Sequence, residues 1–217
     1  TRDLLRKRLQ LVRHRTSHVL SVKNILARNL GIRMKTYDIK KLRASEVSTL
    51  FADTEMRLAI MSSIGLIQHF QEEIDRIEKV ITKKFKVKEE FKKLLTVPGI
   101  GEILGLTIML EVGHIDRFPT VGDYSSYCRC IRSIHTSNGK VTGYGNSRNG
   151  NKYLSWAYLE AAHSARRHHE MIQRYYERKR AKTNKVVAIK AVSHKLARAS
   201  YYVMRDGVDY DEARLFV

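Results

Sequence analysis

The chain has 217 residues, of which 43% are hydrophobic, and this proportion excludes a disordered tail. It carries 41 Lys and Arg against 22 Asp and Glu, a formal net charge of +19, which predicts a polyanionic partner such as nucleic acid. No run of apolar residues is long enough to span a bilayer, so we expect no membrane partner.

Residues 3–30 predict a basic amphipathic helix that ends at Gly31, because apolar residues recur at helical spacing until that glycine. Arg6 and Arg13 lie off the apolar stripe and are candidate phosphate contacts, although a solvated helix face is an equal alternative. The chain opens inside this pattern without an initiator Met, which suggests a piece of a longer protein.

A polar connection over residues 32–45 leads to a second long helix, predicted from about Glu46 to Phe85. Its apolar residues repeat every seven positions, which predicts a coiled-coil seam. The seam consists of Ile60, Ile67, Ile74 and Ile81 together with Met56, Phe70 and Ile77. It could pair with the first helix as an antiparallel hairpin or with another subunit, and the sequence does not decide between them.

A helix, a tight turn and a second helix are predicted around Pro98, Gly99, Ile100 and Gly101. This helix-hairpin-helix pattern presents backbone N–H groups at the start of the second helix, which suits a phosphate. The four turn residues are therefore candidate nucleic-acid contacts. A plain corner between two helices is the alternative.

Residues 135–151 are rich in glycine and asparagine and predict the longest irregular stretch of the chain. Ser137 lies in it as a candidate nucleophile, with His135 as a candidate proton acceptor. The nearby cations Lys140, Arg148 and Lys152 are candidate phosphate clamps. Taken alone, a serine in such a loop is more often a turn residue.

Other residues that could carry chemistry form no convincing site. Cys128 and Cys130 are too close for an easy disulfide and match no zinc pattern, which fits a reducing cytosol. The carboxylates are scattered, so we expect no metal site in this chain. Two more helices are predicted, from Asn151 to about Lys182 and from Lys185 to Arg205. The histidines on the first of them are expected to be exposed or to face phosphate: His163, His168 and His169.

The predicted fold is mainly α: a long helical hairpin or coiled-coil segment followed by a compact helical domain. That domain would contain the helix-hairpin-helix and the Gly/Asn-rich active-site loop. The predicted boundary gives a linker and coiled-coil region over residues 1–88 and a C-terminal domain over residues 89–217.

Several segments in this order resemble a known family. They are Leu94 to Gly101, Asp116 to Phe118, Tyr127, Ser137 to Lys140, and Arg148 to Leu154. Their order and spacing are similar to the C-terminal region of insertion-sequence transposases of the one-ten family, which are bridge-RNA-guided recombinases related to Piv-type DNA invertases. The residues Arg129 to Arg132 depart from it, because the family often has a Gly-Leu-x-Pro segment there.

The resemblance implies a DNA transposase or invertase that cuts and rejoins DNA through a phosphoserine intermediate. Ser137 matches the family's serine, and Thr136 is the fallback. An additional RuvC-like domain would supply four acidic residues and Mg²⁺, so this chain alone is expected to be inactive and to hold no cofactor. The implied partners are duplex DNA, a guide RNA and further copies in a dimer or tetramer, in the bacterial cytoplasm at the nucleoid. The alternative is a non-catalytic DNA- or RNA-binding and oligomerisation module.

Overall fold

A computed structural model describes residues 1–85, 89–131, 134–144 and 149–211. The chain divides into two compact units, Asp3–Ile81 and Thr82–Val217. The predicted boundary at residue 88 falls outside the described residues. Helices dominate both units, so the prediction of a mainly α fold is confirmed.

The described secondary structure of the first unit is helical: α1 (Arg2–Leu30), α2 (Thr36–Lys41), α3 (Ala44–Leu50) and α4 (Thr54–Phe85), whose last residues lie beyond the unit. Helix α1 ends as predicted, because Gly31 adopts the left-handed conformation with a φ of 69°. The Gly31 N–H donates to Ala27 O at 3.1 Å, which satisfies a carbonyl at the helix end.

Helices α1 and α4 pack antiparallel within the chain. Arg8 near the start of α1 pairs with Glu78 near the end of α4, with 2.6 Å between Nε and Oε1. Nearly two turns further along α1, His14 contacts the ring of Phe70 at 5.7 Å between ring centroids. The seam on α4 therefore pairs with the first helix, which is the hairpin alternative left open by the sequence.

The core of the first unit contains most of the predicted seam and one residue that the heptad pattern missed. Ile60, Ile67 and Ile74 are almost fully buried, as the pattern predicts. Ile64 is also buried, because the apolar stripe of a globular helix is wider than a two-position coiled-coil seam. Ile60, Ile64 and Ile67 share a cluster with buried residues of α1 and of the segment between α1 and α4: Val19, Val22, Leu26, Ile39, Leu42, Val47 and Phe51.

The predicted start of the second helix at Glu46 is wrong, because the chain leaves the helix between Leu50 and Thr54. Phe51 is extended, with a φ of −127° and a ψ of 122°, and its side chain is buried. Asp53 then accepts a hydrogen bond from the Glu55 N–H at 3.0 Å and begins α4 anew. The connection over residues 32–45 also contains α2, which the polar composition concealed.

The described residues of the second unit form helices, a 3-10 turn and one hairpin. In chain order these are α5 (Glu89–Leu94), α6 (Glu102–Val112), the 3-10 turn (Ile115–Arg117), α7 (Val121–Tyr127), β1 (Ile134–Ser137), β2 (Lys140–Tyr144), α8 (Lys152–His168), α9 (Glu170–Lys182) and α10 (Lys185–Asp206). Helix α10 packs against α5, α7, α8 and α9, and α8 packs against α6.

The core of this unit combines small residues of α8 with large aromatic residues of its neighbours. Alanines on one face of α8 let the other helices approach closely: Ala157, Ala161, Ala162 and Ala165. Tyr124, Tyr158 and Tyr201 are fully buried, and the hydroxyls of Tyr124 and Tyr158 share a hydrogen bond of 2.5 Å. The Tyr201 hydroxyl donates to Phe118 O at 3.1 Å, so the buried phenols are hydrogen-bonded.

Two predictions about the second unit are wrong. The stretch predicted as irregular contains an antiparallel hairpin, β1 with β2. The helix predicted from Asn151 to about Lys182 breaks at His169, whose φ of −126° and ψ of 115° are not helical. The break lets Ile172 and Tyr176 of α9 enter the core. Helix α10 ends near the predicted position, at a left-handed Gly207.

Candidate nucleic-acid interface

The hairpin β1–β2 forms an exposed arm between α7 and α8, and Ser137 lies at its tip. Asn138 and Gly139 form the two-residue turn, with φ values of 50° and 73°. Positive φ at both positions is the signature of a type I′ turn, for which Asn-Gly is a preferred sequence. The register places Ser137 directly opposite Lys140, so the candidate nucleophile and one candidate clamp are cross-strand neighbours.

The arm is solvated on both faces. All four residues of β1 are exposed, and Ile134 and Val141 expose more than half of their surface. The register shifts between His135 and Thr136, and among the described residues no side-chain hydrogen bond joins His135 to Ser137. An isolated two-stranded hairpin is only marginally stable in water, so the arm depends on its anchorage and its partners.

Asn151 anchors the C-terminal end of the arm. Its side chain caps α8 by accepting from the N–H groups of Tyr153 and Leu154 at 2.8 and 3.1 Å. The same amide donates to the carboxylate of Glu111 at 2.7 Å, and both residues are buried. The Asn151 N–H also donates to Tyr127 O at 2.6 Å, which ties the start of α8 to the end of α7.

A second set of contacts closes the base of the arm. The Arg129 guanidinium donates to Gly150 O at 2.9 Å. Gly150 has a φ of 88°, and a Cβ there would lie 2.5 Å from Tyr127 O, so only glycine fits. The residues that precede the arm and those that follow it are therefore held together at a fixed point. This base joins the ends of α7 and α8 that flank the arm in the sequence, and the residues at the tip of the arm are exposed.

The other predicted cations fall in different places. Lys152 is exposed at the start of α8, beside the base, with its Nζ 5.2 Å from the ring centroid of Tyr153. Arg148 lies outside the described residues. Arg13 is exposed on α1, and Arg6, which is half-buried there, pairs with Asp3 at 3.8 Å. Their contacts with nucleic acid remain predictions.

The predicted helix-hairpin-helix turn connects α5 to α6, and most of it faces the core. Pro98 and Ile100 are buried, and Gly99 is left-handed, with a φ of 79°. A Cβ on Gly99 would lie 2.2 Å from Ala161 O, so Gly99 is the residue of this turn that allows a close backbone approach. Gly101 is exposed at the start of α6, which no side chain caps, so its phosphate contact remains a prediction.

Both cysteines are free thiols of low reactivity. Burial is the main cause that raises the pKa of Cys128 far above its usual range and that of Cys130 to about 11. Protonated thiols are poor nucleophiles. Among the described residues, no group of three or more His, Cys, Asp or Glu is placed to hold a metal ion. His163 and His168 are exposed, as predicted, and His169 is half-buried.

The sequence interpretation missed one surface, which lies on α9 and α10. Arg178 and Lys179 of α9 and Lys195 and Arg198 of α10 lie near one another. Lys195 and Arg198 are three residues apart and therefore share one face of α10, a signal that the sequence does contain. None of the described helices has the length and hydropathy needed to cross a membrane.

Comparison with known proteins gives a match over the second unit. Residues 91–177, from α5 into α9, match the model of the transposase IS116/IS110/IS902 family. The chain is 24% identical over 171 residues to a "Transposase for insertion sequence element IS1111A" of Coxiella burnetii. It is 25% identical over 120 residues to an "Insertion element IS110 uncharacterized 43.6 kDa protein" of Streptomyces coelicolor.

These matches cover 76% and 54% of the chain but only 46% and 29% of the two relatives. The chain thus spans less than half the length of the curated relatives that it matches. Together the family match and the relatives support a likeness to transposases of the IS110 type.

Proposed function

We propose that this chain is part of a DNA transposase of the IS116/IS110/IS902 type and that Ser137 is its nucleophile. One observation carries the proposal. The family match over residues 91–177 includes both the arm and its base, and within that stretch Ser137 is an exposed serine at the tip of an anchored hairpin. A nucleophile that attacks a DNA strand needs this combination of access and positioning.

The proposed reaction conserves the number of ester bonds to phosphorus. The Ser137 Oγ attacks the phosphorus of a phosphodiester, a serine–phosphate ester forms, and the bond to one deoxyribose oxygen breaks. The serine proton passes to a base, for which His135 is the candidate, and the released deoxyribose oxygen takes up a proton. The hydroxyl of another DNA end then attacks the ester and frees Ser137, so strands are exchanged without hydrolysis.

Lys140 has a clear part in this proposal. It lies opposite Ser137 across the turn, where its ammonium group can approach the non-bridging oxygens of the same phosphate. A cation there stabilises the charge that develops as the new ester forms. Lys152 and Arg148 would extend the contact along the strand, and the uncapped start of α6 at Gly101 would hold a further phosphate.

The remaining parts of the machinery belong to the whole protein. From the family resemblance we propose an additional RuvC-like domain that holds Mg²⁺, a guide RNA, duplex DNA as substrate and assembly into a homo-oligomer. From the same resemblance we propose that the whole protein is located at the bacterial nucleoid. The resemblance also includes DNA invertases, so an invertase is the alternative to a transposase.

A covalent trap tests the serine. The whole protein is incubated with Mg²⁺, its guide RNA if it uses one, and DNA that contains its element ends. The products are digested and peptides spanning Ile134 to Lys140 are analysed by mass spectrometry. We expect a nucleotide adduct on Ser137, and we expect Ser137→Ala to abolish both the adduct and strand exchange while DNA binding is retained.

Thr136→Ala is the matched control, because Thr136 is an exposed hydroxyl on the same strand. It should keep both the adduct and the exchange. An adduct that stays in Ser137→Ala but disappears in Thr136→Ala would transfer the role to Thr136. Full strand exchange by Ser137→Ala, with no adduct on the arm in that variant or in the unmodified protein, would contradict the proposal. The chain would then be a non-catalytic binding and assembly module.

A further inference from the structure

Helices α9 and α10 together present a basic face, formed by Arg178 and Lys179 of α9 and by Lys195 and Arg198 of α10. Arg178, Lys179 and Arg198 are exposed, and Lys195 is half-buried. The Lys195 Nζ lies 4.8 Å from the ring centroid of Tyr175, which holds its stem against α9. The four cations therefore lie on a rigid support of two packed helices.

Carboxylates of the described residues pair with some cations of α9 and α10, but not with three cations of the basic face. Among the described residues, no ion pair includes Arg178, Lys179 or Arg198. Two other arginines of α9 have such partners: Arg174 lies 2.5 Å from Glu170, and Arg180 lies 3.0 Å from Glu177. The same helix thus carries both neutralised and non-neutralised arginines.

The positive charge of this face contributes to lower pKa values at Lys195 and at His194. Burial lowers the pKa of Lys195, and the charges of Arg198, Arg178 and Lys179 lower it further. Burial and the charge of Arg198 also lower the pKa of His194. Clustered like charges of this kind cost stability in the free protein and are relieved when an anion binds.

Acidic residues limit the basic face at the C-terminal end of α10. Arg205, two turns beyond Arg198, forms an ion pair with Asp206 at 2.6 Å. The cleft beside it, of about 370 Å³, is lined by Arg198 but also by the acids Asp209 and Asp211. A long anion would therefore follow Arg178, Lys179, Lys195 and Arg198 and would be repelled at the C-terminal end of α10.

We propose that the α9–α10 basic face binds the phosphodiester backbone of a nucleic acid, at a site that shares no residue with the arm. Four cations on two rigid helices suit successive phosphates, and a polymer with regularly spaced charges fits them better than a single small anion. The site does not depend on the chemistry of Ser137, so it gives the protein a second contact with its DNA or its RNA.

The test compares two double variants that each remove two arginines. Arg178→Gln/Arg198→Gln changes the basic face, and Arg174→Gln/Arg180→Gln removes the same charge from the paired arginines. Each full chain is titrated with duplex DNA and with RNA of random sequence, two helical turns long, at several salt concentrations. We expect the first variant to lose about 10-fold or more in affinity and its salt slope on the duplex to fall by about 1.8.

The control double variant should keep its affinity within about 2-fold, since neutralised arginines contribute little. A loss with DNA alone, with RNA alone or with both identifies which backbone the face contacts. Equal affinity of the two double variants for both polymers would overturn the proposal.

Acetylation footprinting of the chain without substitutions is a second test. Its result cannot be caused by a variant that fails to fold. Lysines are acetylated with and without the bound oligonucleotide, and Lys179 and Lys195 should be protected. Lys92, which pairs with Glu89 at 2.5 Å on α5, is the reference in the same unit. Acetylation of Lys179 and Lys195 that is unchanged by the oligonucleotide would also overturn the proposal.

Discussion

Two turns of the second unit each contain a glycine with positive φ, but the environments of these glycines are opposite. The turn at Pro98 to Gly101 lies between α5 and α6, and Gly99 there contacts the backbone of α8. The turn at Asn138 and Gly139 lies at the tip of the arm, where a Cβ on Gly139 would meet nothing within 4 Å. Both glycines have positive φ, but only one of them is required by packing.

The difference shows that one glycine-containing turn can serve helix packing while another presents candidate functional residues to solvent. At Gly99 the missing side chain lets two backbones touch, so the turn is part of the core. At Gly139 the missing side chain only permits a left-handed dihedral, so the turn presents its neighbours Ser137 and Lys140 to solvent. A glycine motif that looks functional in sequence can therefore be a packing motif, and the reverse also holds.

Gly99→Ala should have the largest effect. The added Cβ would clash with Ala161 O, a backbone atom that cannot move aside, and the residue would hold an unfavourable φ. We expect a loss of about 3–5 kcal/mol in the free energy of unfolding. Trp156 of α8, the single tryptophan, packs on this core and reports the transition by fluorescence in urea.

Gly101→Ala is the matched control for this variant, two residues away in the same turn. Gly101 has an ordinary φ of −88° and open space around it. We expect it to lose less than about 1 kcal/mol, the usual difference between glycine and alanine at a helix start. Equal losses in the two variants would contradict the packing role of Gly99.

Asn151→Ala should have the next largest effect, because it removes a buried cap at the base of the arm. The variant loses the acceptor for two N–H groups of α8 and the amide that donates to Glu111. We expect about 2–4 kcal/mol, measured by the same fluorescence transition. Asn184→Ala is the control, since Asn184 caps α10 through the same two bonds but is exposed. It should lose only about 1 kcal/mol.

The thiol of Cys130, which precedes the arm, should react slowly. A pKa raised from 9.0 to about 11 keeps the thiol protonated at pH 8, and the thiolate fraction falls about 100-fold. We therefore expect iodoacetamide to alkylate Cys130 more slowly in the folded chain than in the chain unfolded in urea. The unfolded chain loses this proton at a lower pH than the folded chain, so the free energy of unfolding decreases as the pH rises from about 9 towards 11. Equal alkylation rates in the folded and unfolded chain would contradict it.

Gly139→Ala should have the smallest effect, and a local one. The positive φ costs about 1 kcal/mol with an alanine, but no atom obstructs the new methyl group. We expect faster amide hydrogen exchange in β1 and β2 and an unchanged Trp156 transition. Ser137→Ala, which keeps the turn intact, should change neither measurement. A large shift of the Trp156 transition in Gly139→Ala would mean that the arm tip is part of the core.

Much of the fold could be predicted from local sequence. Gly31 and Gly207 end their helices where expected, because a left-handed glycine satisfies the last carbonyls whatever surrounds it. The α4 heptad also predicts which face is buried. The breaks near Phe51 and at His169 could not be predicted in the same way. No proline or glycine marks them, and burial of Phe51, Ile172 and Tyr176 outweighs helix propensity there.

The candidate site also combines features that local sequence predicts with features that depend on tertiary contacts. The sequence alone determined the helical class, the basic character and the order of motifs that led to Ser137 and Lys140, because these depend on composition and on neighbours along the chain. Only the tertiary structure decided that Gly99 packs on α8, that Asn151 and Glu111 anchor the arm, and that cations of α9 and α10 meet. Those contacts join residues far apart in sequence, and their free energy comes from burial and charge density that exist only once the helices have packed.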